Sequence, residues 1–252
     1  MKYLGIEPKR PRIGVFDFTG CEGCELQLAN KEETLAAFLG AVEIASFREI
    51  SSAQDDGIDY DIAFVDGSIS RADEVARVKR IRERARLVVA MGSCACFGGV
   101  SRLKNAYDPA LANRVVYGDE PRETLPVRSV KEVVPVDLEI PGCPVSKDEI
   151  ERIVQHLVFD VPYHFAVYPV CLECKQRYTV CMFDRGQLCL GPITRGGCDA
   201  PCPAGGLGCW GCRGPSADPN FEEFLAVAHE DGFSDAEIDE RLGFFGGFEG
   251  VR

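Results

Sequence analysis

Short apolar runs alternate with amphipathic stretches along the first 165 positions. Ile13 to Phe18, Val42 to Phe47, Ile62 to Val65, Leu87 to Met91 and Val134 to Ile140 are rich in β-branched, aromatic and aliphatic side chains, which predicts five buried strands. Leu26, Leu28, Leu35, Ala36 and Leu39 recur at helical spacing after the first run. Val75, Val78 and Ile81 form a narrow apolar stripe on the otherwise charged segment Arg71 to Arg84. Ser146-Lys-Asp-Glu149 is a capping-box sequence, and it opens a helix carrying Ile150, Ile153, Val154 and Leu157. Strands and helices in this alternation predict an α/β fold with a parallel sheet, because parallel neighbours need a crossover, usually a helix.

The pattern changes after residue 165. From Tyr168 to Pro215 no period is sustained, and Gly, Pro and Cys dominate. A stretch of this kind is expected to bury too little apolar surface to order itself, so something other than a hydrophobic core must hold it. Helical spacing returns in the tail with Phe221, Phe224, Leu225 and Val227, followed by a second capping box, Ser234-Asp-Ala-Glu237. Two domains are therefore expected, 1–165 and an irregular one over 166–252.

Charge narrows the partners. The chain has 28 Lys+Arg against 40 Asp+Glu, a formal net charge of −12, which argues against nucleic acid or an anionic membrane surface. No apolar stretch approaches the roughly 18 residues that span a bilayer. Met1 to Arg12 is studded with charge and lacks the apolar core of a signal peptide, so a cytoplasmic protein with reduced thiols is expected. In that setting clustered cysteines are more often metal ligands than disulfides, and this chain has 13.

Their distribution is uneven. Cys21, Cys24, Cys94, Cys96 and Cys143 precede residue 150, and the other eight lie between Cys171 and Cys212. Cys21 and Cys24 follow the first predicted strand, Cys94 the fourth and Cys143 the fifth. In an open parallel sheet the residues beyond the strands' carboxyl ends converge on one rim, where ligands bind at the topological switch point. Topology thus gathers Cys21, Cys24, Cys94 and Cys143. The glycines around them (Gly20, Gly23, Gly92, Gly98, Gly99, Gly142) let the backbone approach an anionic centre. Three sites of four thiolates use 12 of the 13 cysteines, and the 4Fe-4S cubane takes four thiolates. Cys171-x-x-Cys174 and Cys209-x-x-Cys212 alone would also suit zinc knuckles, although zinc there leaves the rim quartet unexplained.

A longer series of motifs runs through the chain: Cys21-Glu-Gly-Cys24-Glu25, Gly92-Ser-Cys94-Ala95, Val134-Pro-Val-Asp137, Pro141-Gly-Cys143-Pro144, Tyr168-Pro-Val-Cys171-Leu-Glu-Cys174-Lys175, Cys189-Leu-Gly-Pro192 and Gly206-Leu-Gly-Cys209-Trp-Gly-Cys212-Arg-Gly-Pro215. In this order it resembles the small, electron-transfer subunit of nickel-iron hydrogenases, most of all the cytoplasmic bidirectional and sulfhydrogenase delta group. The resemblance implies a flavodoxin-like first domain whose quartet Cys21, Cys24, Cys94 and Cys143 holds a proximal 4Fe-4S cluster facing a separate nickel-iron large subunit. It further implies an iron-sulfur domain with distal ligands Cys171, Cys174, Cys181 and Cys189 and medial ligands Cys198, Cys202, Cys209 and Cys212.

Departures from the periplasmic uptake enzymes sharpen this. Cys171 stands where those enzymes have histidine, and Cys202 where they commonly have proline, which implies three 4Fe-4S clusters of low potential. Such a chain suits an acceptor near the hydrogen couple, such as NAD(P), deazaflavin or ferredoxin, reached through a flavin/iron-sulfur, diaphorase-type subunit. Gly23 and Gly99 occupy the positions of two extra cysteines in oxygen-tolerant members, which implies an ordinary proximal cubane. The paired Cys-x-x-Cys motifs that hold nickel are absent, so no catalytic residue is expected here.

Two other readings stay open: an iron-sulfur electron-transfer subunit related to respiratory complex I, and a zinc-stabilised interaction module. Cys96 is left over as a packed core thiol. Asp66 reads as a turn or cap residue at the rim, Glu25 as a helix-dipole or subunit-contact residue, and Trp210 as a shield for the medial cluster. His156, His164 and His229 read as structural or surface residues, and Lys175, Arg195 and Arg213 as offsets of cluster charge or plain surface solvation.

Overall fold

The five apolar runs become β1 (Arg12–Asp17), β2 (Glu43–Ser46), β3 (Tyr60–Asp66), β4 (Ala85–Met91) and β5 (Leu138–Ile140). They form one sheet in the order β2-β1-β3-β4-β5, with every neighbouring pair parallel. This is the flavodoxin-like order, whose switch point lies between β1 and β3. The structure, a computed structural model, describes residues 10–30, 32–52, 58–120, 122–159 and 161–250. Met1 to Lys9 and the side chain of Leu35, on which two of the expectations above rest in part, lie outside the described residues.

Two elements differ from expectation. The fifth strand is Leu138–Ile140 rather than Val134 to Ile140. Pro135 has no N–H for the ladder, and a 3-10 turn at Val130–Glu132 bends the chain, its end closed by Val134 N–H to Val130 O at 3.0 Å. Asp137 then joins the sheet edge twice: its N–H reaches Val88 O at 2.9 Å and its Oδ2 accepts from Val88 N–H at 2.7 Å. The first helical stretch is two helices, α1 (Gly23–Ala29) and α2 (Glu32–Ala41). Leu28 is buried while Leu26 and Leu39 are exposed, so their shared spacing does not mark one continuous buried face.

The charged stripe becomes α3 (Ala72–Arg84), which buries Val78 and Ile81. These pack with Phe16, Ala63, Val65, Val88, Ala90, Cys96 and Val130 in one cluster of buried side chains. β4 runs directly into α4 (Gly92–Phe97), and α5 (Pro109–Tyr117) lies further along the same connection. Ser146 caps α6 (Lys147–Val158), its Oγ accepting from Glu149 N–H at 3.4 Å. No helix among the described residues is long and apolar enough to cross a membrane.

The chain divides into two compact units, Met1–Tyr163 and His164–Arg252. The second holds α7 (Val170–Gln176), α8 (Pro201–Ala204), α9 (Phe221–Glu230) and α10 (Asp235–Gly243), the last opened by the full Ser234/Glu237 capping box. Here the expectation of a region without a core fails. Leu188, Leu190 and Ile193 pack against Phe224, Ala228, Ile238, Leu242 and Phe248. The periodic tail supplies the apolar partners that the cysteine-rich segment lacks within itself.

The connection between α4 and β5 is held by a partly exposed side-chain clamp. Ser129 donates its N–H and hydroxyl to Glu132 Oε2 at 2.6 and 2.8 Å, and Arg102 donates to the same oxygen at 2.8 Å. Burial alone would raise the Glu132 carboxyl, but the hydrogen bonds from Arg102 and Ser129 hold it down at about 2. Glu132→Gln is expected to cost about 1 kcal/mol at neutral pH, discounted for the partial exposure of both partners. The folded value lies below the ordinary 4.5, so this stabilisation is present above that pH and fades as pH falls toward 2. Urea denaturation of both proteins across that range should show the difference shrinking in acid.

Candidate metal centre

The ladder registers put the strand ends abreast. Asp17 pairs with Asp66, Asp66 with Met91, and Met91 with Ile140. Beyond that row the loops are tied to each other. Thr19 and Ser68 exchange N–H to O bonds of 3.0 and 2.7 Å, and Ser93 N–H reaches Gly142 O at 2.8 Å. Cys21 and Cys24 thus leave from β1, Cys94 from β4 and Cys143 from β5, and all four thiols meet on the rim.

Their mutual influence shows in the thiol chemistry. Burial, then the Asp66 carboxylate, pushes Cys24 well above the ordinary thiol value, with Cys94 and Cys143 adding to it. Burial, then Asp66, Cys143 and Cys21, pushes Cys94 up to about 12. Cys143 is raised by burial and then by Cys21 and Asp66. Cys24, Cys94 and Cys143, held as thiols by burial and neighbouring charge, become thiolates readily only around a cation, which inverts the local electrostatics. This donor set fits a thiolate-ligated metal centre.

Backbone approach is built in at two glycines. Gly92 (φ 90°) lies so close that a Cβ there would sit 2.4 Å from Cys24 Sγ. Gly99 (φ 61°) would place one 2.6 Å from Cys94 Sγ. Both need the left-handed region that favours glycine. Gly23 differs, since its Cβ would lie 3.3 Å from Cys21 Sγ in ordinary van der Waals reach of Pro144.

Asp66 is more than a turn residue. It is buried, its Oδ1 accepts from Gly67 N–H at 2.7 Å, and burial holds its carboxyl up at about 6 against hydrogen bonds from Gly67, Cys24 and Glu25. Glu25 is buried as well, not a solvated first-turn residue. Burial, then Asp66 and Asp17, raises its carboxyl to about 8. Cys96 is fully buried, its Sγ 3.5 Å from Ala90 O, and packs in the sheet core.

In the second unit, Cys171 and Cys174 sit one turn apart on α7 and face the same way. Burial, then Cys189, Cys174 and Cys181, pushes Cys171 up to about 12, so these four thiols form one group. A Cβ on Gly191 would touch Cys189 Sγ at 3.3 Å and Cys171 Sγ at 3.4 Å. The remaining four appear as neighbouring pairs. Cys198 is raised by burial, with Cys202 adding to it and Arg213 opposing; Cys209 is raised by burial, then by Cys189 and Cys212. Arg213 follows Cys212, so its action on Cys198 links the pairs.

The two groups share backbone. Leu190 N–H reaches Cys209 O at 3.0 Å, and Cys209 N–H reaches Cys189 Sγ at 3.2 Å. Trp210 lies between the Arg241 guanidinium, 3.6 Å above its ring centre, and the Phe244 ring, so it is a clamped surface side chain. His156 bonds Pro162 O through Nδ1 at 2.9 Å and His229 faces Asp235, both structural contacts. Sequence reading missed Glu173 and underrated Arg213, both buried within the thiol groups. Their position between or beside paired cysteines was the available signal.

A 2-1-3-4-5 parallel sheet with a thiol-lined carboxyl rim, followed by a unit with eight further thiols, is the architecture of a chain able to hold thiolate-ligated metal. Residues 21–157 match the family model of the NADH ubiquinone oxidoreductase 20 kDa subunit. The sulfhydrogenase 2 subunit delta of Pyrococcus furiosus is 37% identical over 238 residues, covering 93% of this chain and 98% of that one. A chain of an NAD+-reducing nickel-iron hydrogenase solved in the H2-reduced state superimposes with a TM-score of 0.58 at 25% identity, covering 62% of this chain and 96% of that chain. The actinobacterial-type nickel-iron hydrogenase of Ralstonia eutropha shares the fold, with a TM-score of 0.60 at 15% identity over 91% of this chain and 84% of that one. The chain belongs to the NADH ubiquinone oxidoreductase 20 kDa subunit family and, within it, to the small subunits of nickel-iron hydrogenases.

A centre held at this rim is expected to be lost when Gly92→Ala or Gly99→Ala fills the cradle, whereas Gly23→Ala should retain it. Iron per chain after anaerobic reconstitution separates the three, with loss of about four irons expected for the first two. Equal iron in all three would contradict the close approach.

Proposed function

We propose that this chain passes electrons between the hydrogen site of a nickel-iron large subunit and a flavin/iron-sulfur partner of the diaphorase type. The observation that carries the reading is the row of strand ends Asp17, Asp66, Met91 and Ile140, beyond which Cys21, Cys24, Cys94 and Cys143 gather. These four are assigned to a proximal 4Fe-4S cluster in a first domain, 1–165. Cys171, Cys174, Cys181 and Cys189 are assigned to a distal cluster, and Cys198, Cys202, Cys209 and Cys212 to a medial one, in a second domain, 166–252.

Bound 4Fe-4S clusters would supply one-electron redox steps, with potentials set by net charge, hydrogen bonds to sulfur and exposure. The residues present fit that task. Glycine-lined loops bring N–H groups to sulfur, as Gly211 does to Cys209 Sγ at 3.5 Å and Cys209 to Cys189 Sγ. Among the described residues no three His, Cys, Asp or Glu side chains converge on a single-ion point. In a 4Fe-4S centre each thiolate takes its own iron. A cytoplasmic location goes with the reading, because thiols kept reduced are available for cluster assembly.

A complex I-related subunit is the second reading, favoured by the family model over residues 21–157. The eight thiols of the second unit weigh against it. Anaerobic purification of the tagged chain should bring down a nickel-containing large subunit and give about twelve iron and twelve sulfide per small subunit. About four of each would favour the second reading, and zinc without sulfide would refute both. Cys202→Pro should change the EPR of the medial centre alone; an unchanged spectrum would remove Cys202 from the ligand set.

A further inference from the structure

Glu173 lies within Cys171-Leu-Glu-Cys174 on α7 and is buried. Its carboxylate reaches the neighbouring loop that carries Cys198. Oε1 accepts the Gly197 N–H and the Tyr168 hydroxyl, the latter at 3.3 Å. Oε2 accepts the Ala200 N–H at 3.2 Å and lies 3.8 Å from Cys198 Sγ. Asp199 and Ala200 adopt φ of 62° and 45°, a left-handed turn strained for residues with a Cβ, and this turn is what aims the Ala200 N–H at Glu173.

Two further contacts brace the same loop. Arg177, the cap of α7, pairs with Asp199. Arg213, buried and adjacent to Cys212, donates its Nε to Gly196 O at 2.9 Å. The loop on which Cys198 sits is therefore held from two sides, by a residue inside the Cys171/Cys174 turn and by the residue next to Cys212.

We infer that Glu173 is a positioning residue shared by two clusters: from the helix bearing two distal ligands it fixes the loop bearing the medial ligand Cys198, and its negative charge beside that sulfur lowers the medial potential. The inference rests on the cluster assignment proposed above. Three donors shared over two oxygens, Gly197 N–H and Tyr168 O–H on one and Ala200 N–H on the other, explain the residue type. An amide offers one oxygen, so glutamine would turn an N–H donor toward N–H donors at one of the two sites. Charge beside a ligand sulfur and hydrogen bonding around it are among the levers that set cluster potential.

The test is a redox titration of the anaerobically purified holo-complex, followed by EPR, for wild type, Glu173→Gln and Tyr168→Phe. Glu173→Gln should move one midpoint to more positive potential and leave the other two in place. Tyr168→Phe, which strips one donor from the same carboxylate, should move that same midpoint the opposite way. If Glu173→Gln fails to fill the medial site, iron should fall by about four per chain with the other two clusters intact. Unmoved midpoints in both variants, an equal shift of all three, or loss of about eight irons would overturn the inference; the last would mean that Glu173 holds only its own helix. Wild-type iron and sulfide are read in the same series, so failure of the cluster assignment shows in the unsubstituted protein and is told apart from failure of the Glu173 role.

Discussion

Everything at the rim depends on the register of four parallel strands. Asp17, Asp66, Met91 and Ile140 stand in one row, so loops that are remote in sequence begin at the same height and can be cross-tied by Thr19 to Ser68 and Ser93 to Gly142. A slip of one residue would turn every side chain of a strand to the opposite face and move its loop along the edge. The strands are buried on both faces, and the fit of Phe16, Val65 and Val88 against Val78 and Ile81 of α3 opposes the slip. The hydrophobic core of the sheet and the placement of the thiols are in this sense the same fact.

In the second unit, core and thiols are interleaved on one strand-like segment. Leu188 and Leu190 point into the cluster formed with α9 and α10, while Cys189 between them packs with Val170, Met182, Ala200 and Cys209. Consecutive residues of this segment thus face two different clusters. This unit consequently has apolar order of its own on one face and thiol groups on the other. Coupling of metal binding to folding should then be strongest for α7 and α8, which contribute no side chain to that apolar cluster.

Most of the sheet was legible in the sequence because buried parallel strands are written as short apolar runs and helices as periodic stripes. The rim quartet followed from where Cys21, Cys24, Cys94 and Cys143 fall relative to those runs. The first helical stretch was misread because Leu26 and Leu39 keep the spacing of a buried stripe while standing exposed. The second core was missed because its apolar residues belong to two segments, Leu188 to Ile193 and the tail from Phe224 onward, and the helical period of the tail does not say which segment it packs against. Glu173 was passed over for a different reason. A charged residue inside a cysteine pair looks solvated until the turn at Asp199 and Ala200, which only three-dimensional structure shows, brings two N–H groups onto it.

The acidic balance of the chain gains a local meaning from the second unit. A net charge of −12 would oppose the accumulation of further thiolates if it were spread evenly. Instead cations stand at the thiols. Arg213 is 1% exposed and acts on Cys198, and Arg241, stacked on Trp210, donates to Leu188 O beside Cys189. A guanidinium is suited to this because it stays charged when buried and its planar face stacks on an aromatic ring. Carboxylates enter the thiol groups too, Glu173 with an N–H donor on each oxygen and Asp66 with the Gly67 N–H on Oδ1. The sign and the hydrogen bonding of the few charges next to sulfur, not the overall charge, therefore decide how readily each thiol group can take up and hold a metal centre.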